Sequence, residues 1–124
     1  MDNFLQSFQY YEEQDQAYLK EAQTLTTQMD MNLNAADRFR LWDSALNAEW
    51  NILMKVLPKE QKEKLREEER EWIAQKEAAV KAAGAGGGSI RPLLEADTGA
   101  ELTKDRVYEL KAILEQKGYV FETE

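Results

Sequence analysis

The chain predicts an all-α fold: a small helical bundle built on two long antiparallel helices with two shorter helices alongside. Three observations predict it. Seven apolar residues from Ala35 to Leu57 recur at alternating steps of four and three, which places them on one helical face. No glycine or proline interrupts the chain before Pro58. The glycines then cluster in the run Gly84 to Ser89, four of six positions, which reads as one loop between helices.

The first helix is expected over about Asn3 to Ala22. Phe4, Phe8, Tyr11, Tyr18 and Leu19 have rough 3–4 spacing, with a polar gap at Glu12 to Gln16. The second begins at Thr27. Its hydroxyl suits the cap position, and Asp30 places a carboxylate at the positive end of the helix dipole. Its stripe is Ala35, Phe39, Trp42, Leu46, Trp50, Leu53 and Leu57, and Pro58 ends it. About 30 residues at 1.5 Å each give a rod of ~45 Å, which needs a partner of similar length. The third helix, about Pro58 to Ala83, is expected to supply it. Proline is tolerated in a first turn, so Pro58 can end one helix and open the next. Leu65, Trp72, Ile73, Ala79, Val80 and Ala83 form its apolar side, after a charged entry expected to project into solvent.

Gly84 is the expected left-handed residue after helix three. Leu93 to Glu95 suit a short helical turn. The last helix is expected from a Thr103 cap to Gly118, with Val107, Leu110, Ile113 and Leu114 inward. The tail Tyr119-Val120-Phe121 is apolar enough to fold back on the bundle. At 124 residues, the chain is expected to form one domain, residues 1–124.

Composition excludes several chemistries. There is no cysteine and no histidine, so disulfides and zinc sites built on those residues are ruled out. The run Glu67-Glu68-Glu69 with Glu71 points in several directions around a helix and has no histidine to complete a carboxylate-bridged di-iron pattern. We read it as a solvated face. No nucleophile–base pair is recognisable, so no catalytic residue, metal or cofactor is assigned and the protein is read as a non-enzyme. The glycine loop lacks the Lys-Ser/Thr of a phosphate-binding loop. No apolar run approaches the ~20 residues of a membrane span, and the start MDNFLQSFQYYEEQ lacks the pattern of an export signal. Net charge is −8, distributed as −5 over residues 1–57, zero over 58–84 and −3 over 85–124. Nucleic acid and anionic membranes would repel such a chain, and a basic protein would attract it.

Three groups of residues, taken together, resemble a known family. Met31-Asn32 is followed by Asp43, Leu46-Asn47 and Trp50; then come Glu69-Arg70, Trp72 and Lys76-Glu77; then Thr103, Arg106 and Leu110. This pattern, from about Thr26 to Gln116, resembles the LprI-type lysozyme-inhibitor N-terminal domain, a helical module of bacterial envelope proteins. The family usually has cysteines where this chain has Asn34 and Val80, so the disulfide the resemblance implies cannot form here. Lys76 stands where the family has arginine, which removes a bidentate donor.

The resemblance implies a protein partner, a basic lysozyme, bound by steric and electrostatic occlusion, and an extracytoplasmic setting after removal of an export signal absent from this chain. The candidate contacts are the acidic side of helix two, Asp37 and Glu49, with Ser89 and Arg91 of the loop entering the enzyme's cleft. Asp43, Asn47, Arg70 and Lys76 are read as a polar network that fixes the register of helices two and three. The three tryptophans are read as core. The alternative is a scaffolding helical module with no lysozyme target.

Overall fold

The computed structural model describes the backbone of residues 3–119 and the side chains of residues 8–119. The described residues form four α-helices: α1 Asn3–Ala22, α2 Gln28–Val56, α3 Lys59–Gly84 and α4 Arg91–Gln116. Among the described residues there is no strand. The expected all-α bundle is the fold.

Thr27 caps α2 as its chemistry predicts: its Oγ1 accepts the Asp30 N–H at 3.1 Å. Leu57 and Pro58, both extended, make the break before α3. The junction of α3 and α4 differs from expectation. The connection is short: a single 3-10 turn, Gly88–Ile90, leads directly into α4, with Pro92 in its first turn. The left-handed positions are Gly86 and Gly88, not Gly84. Gly84 is glycine because a Cβ there would lie 2.6 Å from Glu95 Oε2.

α4 therefore begins twelve residues before Thr103, which is not a cap but a fully buried mid-helix residue. Glycine is a poor helix former, yet Gly99 sits inside α4. A Cβ there would lie 3.3 Å from the Phe39 ring, so its bareness lets the ring settle on α4. Packing overrides local propensity at this point.

Cross-helix pairs set the directions. Asp15 meets Arg38 and Tyr18 meets Asn34, so α1 runs antiparallel to α2. Phe39 faces Gly99 and Arg38 faces Glu101, while Glu49 further along α2 feels the charge of Lys111, so α2 and α4 run parallel. Gly84 lies against Glu95, and Glu69 pairs with Arg106, so α3 is antiparallel to α4. The central pair is α2 with α4; α1 packs on α2, and α3 packs on α4. α4, not α3, is thus the main partner of the α2 rod.

The core joins Phe8, Trp42, Ala45, Leu46, Ile52 and Leu53 with Val107, Leu110 and Leu114, closed below by Leu57 and Leu65. Tyr119 packs against it; Val120 and Phe121 of the expected tail lie outside the described residues, as does the Phe4 side chain. The buried line of α2 includes Ala35, Arg38, Trp42, Ala45, Glu49 and Ile52. It is rotated from the apolar stripe, so Phe39 and Trp50 lie at its margin, half-buried.

Candidate functional site

Three features of the bundle concentrate its chemistry. The first is an ionic centre inside it. Asp15, 1% exposed, lies on α1 in the polar gap of the stripe. Its Oδ1 accepts from Arg38 Nε at 2.5 Å and from Trp42 Nε1 at 2.8 Å, and its Oδ2 accepts from Lys104 Nζ at 3.1 Å. Burial alone would raise the carboxyl's pKa. The bonds from Arg38, Trp42 and Lys104 outweigh it and hold the pKa below the ordinary value. Arg38 also pairs with Glu101 at 2.5 Å. Three helices are joined in this way. Beside the centre, Tyr108 donates its hydroxyl to Glu12, and burial together with that carboxylate raises the Tyr108 pKa.

Sequence reading missed Asp15 and Arg38, though a signal was present. Asp15 follows Phe8 by seven and Tyr11 by four, and precedes Tyr18 by three, which is the inward register of α1. Arg38 lies four before Trp42 and seven before Ala45 in the same way.

Glu49 requires a correction. Expected on the acidic surface of α2, it is fully buried, because it falls seven residues after Trp42 on the inward line. Neither carboxylate oxygen has a hydrogen-bond partner. Burial pushes its pKa up to about 9, with Lys111 opposing the rise. The group is a neutral acid at pH 7 and offers no charge to a partner. Asp37 is half-exposed and pairs with Arg40. Ser89 and Arg91 are exposed, but Ser89 belongs to the 3-10 turn and Arg91 opens α4, where it pairs with Glu95 at 3.0 Å. They sit on a tight junction, not on a long flexible loop.

The second feature is the seam between α2 and α3, where most of the motif residues converge. Leu46, Asn47 and Trp50 of α2 face Arg66, Arg70 and Ile73 of α3 across an open recess of 390 Å³. Further along, Phe39 of α2 faces Lys76, Glu77 and Val80 across a second recess of 540 Å³, closed at its end by Arg91 and Glu95. Lys76 lies 5.0 Å from the Trp72 ring centre and 5.6 Å from that of Phe39, a double cation–π contact.

The expected register network of Asp43, Asn47, Arg70 and Lys76 is not what ties α3 down. Asn47 and Arg70 are exposed and Asp43 is half-buried. The tie is made by Arg106, whose Nε donates to Glu69 at 2.9 Å and whose guanidinium lies 5.8 Å from the Trp72 ring centre. Arg106 also pairs with Glu109 at 2.8 Å. Thr103, from the same motif, is buried with its hydroxyl unpartnered. Trp42 alone among the tryptophans is fully buried; Trp50 and Trp72 pack at the core's edge. Asn34, at one of the family's cysteine positions, donates to Tyr18 O at 3.2 Å and to Glu21 Oε1 at 2.8 Å, joining α1 to α2.

The third feature is a row of acids along α4. Asp97, Glu101, Asp105 and Glu109 recur at every fourth residue and all are exposed. Sequence reading passed over this row because Asp97 to Glu101 lay outside the expected helix. No helix among the described residues is long and apolar enough to cross a membrane.

An uncharacterised protein of Rhizobium meliloti (strain 1021) is 31% identical over 104 residues, 72% of this chain and 75% of the relative. No solved structure matches. The family model described as "Lysozyme inhibitor LprI" matches residues 19–110, from the last turn of α1 into α4, and the chain belongs to that family.

Proposed function

We propose that this protein is a non-enzymatic binding module of the bacterial envelope that occludes a basic muramidase, acting outside the cytoplasm. The supporting observation is its membership of the LprI lysozyme-inhibitor family. The charge distribution supports the polarity of the partner. The chain carries −8, and the exposed row Asp97, Glu101, Asp105 and Glu109 gives α4 an anionic edge about 18 Å long. A basic enzyme would be steered to such an edge, with an association rate that falls as salt rises. Asp37 on α2 adds to the acidic surface, and Ser89 and Arg91, exposed at the α3–α4 junction, would contact the enzyme's cleft. Glu49 takes no part in this reading.

The test is inhibition of a basic chicken-type lysozyme by the purified protein across a salt series. Salt-sensitive inhibition at micromolar protein is expected. Absence of binding at low salt removes the muramidase and leaves a scaffolding module as the reading.

A further inference from the structure

The α2–α3 seam has the opposite polarity to the rest of the molecule. Its two recesses are lined by five cations, Arg66, Arg70, Lys76, Lys81 and Arg91, and by three carboxylates, Glu69, Glu77 and Glu95. Two of those carboxylates are engaged: Glu69 with Arg106 at 2.8 Å and Glu95 with Arg91 at 3.0 Å. Four cations then face one carboxylate, in a protein of net charge −8. The acids Glu67, Glu68 and Glu71 do not line the seam.

The cations are strung out, not convergent. Arg66 to Lys81 spans about 22 Å along α3. A single phosphate or carboxylate would meet one or two of them, whereas an extended strand at about 3.3 Å per residue would pass all four with seven or eight residues. The floor is apolar: Trp50 and Phe39 at the margin of the core, Val80, and Ile73, which is 39% exposed. A polynucleotide would also meet the cations, but the net charge of −8 repels its one charge per phosphate more strongly than the few carboxylates of a short peptide.

We propose that the α2–α3 seam is a docking groove for an extended acidic peptide segment whose apolar side chains alternate with its carboxylates. Guanidinium groups at Arg66 and Arg70 present paired donors to the carboxylates, and the peptide's apolar side chains cover Trp50, Ile73 and Val80. This goes beyond the muramidase reading: it names a second surface, meeting the first at Arg91 but sharing none of the α4 acid row, for a partner of opposite charge.

The probe is a capped octapeptide alternating Glu and Leu, carrying a neutral fluorophore and followed by anisotropy at low salt. Saturable binding with a Kd below about 1 mM is expected. A Lys–Leu peptide should not bind, and a Glu–Gly peptide should bind about tenfold more weakly. The double variant R66E/R70E changes only exposed side chains and should weaken Glu–Leu binding by about tenfold or more. Lys81→Glu, at the far end, provides a second reading should the double variant misfold. No saturation at millimolar peptide overturns the proposal, as does equal binding of the Lys–Leu or Glu–Gly peptide, or unchanged affinity in a folded variant. Lysozyme inhibition assayed on the same variants is expected to be retained or strengthened, since the added carboxylates raise the net negative charge, so failure of one reading is distinguishable from failure of the other.

Discussion

Arg38 and Asp15, 23 residues apart in sequence, meet at 2.5 Å inside the bundle, with side chains 5% and 1% exposed. Such a pair is costly to desolvate, and its removal is costlier because the survivor is left unpaired. Trp42, Lys104 and Glu101 complete the arrangement, so the centre specifies how α1, α2 and α4 come together.

Asp15→Ala is therefore expected to destabilise the fold by about 3–5 kcal/mol, since it leaves Arg38 buried without its carboxylate. Urea denaturation at pH 7 measures this. The Asp15 carboxyl is held below its ordinary value of 3.8, so the stability it contributes is present above that pH and is lost as pH falls below it. The acid limb of the stability curve should flatten in the variant, and an unchanged limb would assign acid unfolding to other carboxyls.

Glu49 acts in the opposite sense and in a different window. Its folded pKa of about 9 lies above the ordinary 4.5, so between these values the folded protein holds a proton that the unfolded chain releases. Stability should fall as pH rises from about 4.5 towards 9, by at most about 1.4 kcal/mol per unit. Glu49→Gln should remove that slope. Glu49→Leu should in addition raise stability at pH 8, because both carboxyl oxygens lack partners. Urea midpoints from pH 5 to 9 decide it.

Arg106 ties α3 to α4 through Glu69 and lies over Trp72. Arg106→Lys keeps the charge but loses the planar fork and the stacking, and a loss of about 1–3 kcal/mol is expected. Hydrogen exchange should show α3 opening more readily while α1 and α2 keep their protection. Uniform loss of protection would mean that α3 does not separate as a unit.

Gly99→Leu should cost about 1–3 kcal/mol by overpacking, because even a Cβ at this position is tight against the Phe39 ring. The near-ultraviolet circular dichroism should change as the ring is displaced. Gly86→Ala is expected to be milder, about 1 kcal/mol: it has open space around it and only its φ of 75° to oppose a side chain.

Reversal of the α4 acid row tests the muramidase reading. Asp97→Lys with Asp105→Lys should weaken lysozyme inhibition by about tenfold at low salt and less at high salt. Glu101 and Glu109 are left in place because they pair with Arg38 and Arg106. Inhibition that is indifferent to this reversal would place the contact elsewhere, with Asp37→Lys as the next variant.

Local chemistry determined the helices. The Thr27 cap, the Pro58 break, the stripe of α2 and the glycine cluster set three of the four with nearly correct ends, because capping, backbone restriction and periodicity are near-neighbour effects. The motif residues from Asp43 to Arg106 likewise carried the family. Tertiary structure decided which long helix partners α2, since α3 and α4 both carry apolar faces and only packing selects between them. It also decided that α4 starts at Arg91, because Gly99 is a helix breaker by propensity and a contact surface once Phe39 lies on it. The fate of the charges was a tertiary outcome too. Asp15, Arg38 and Glu49 read as polar surface by type, but their inward register buries them. Their protonation then follows from whether the neighbouring helices supply partners, as they do for Asp15 and do not for Glu49.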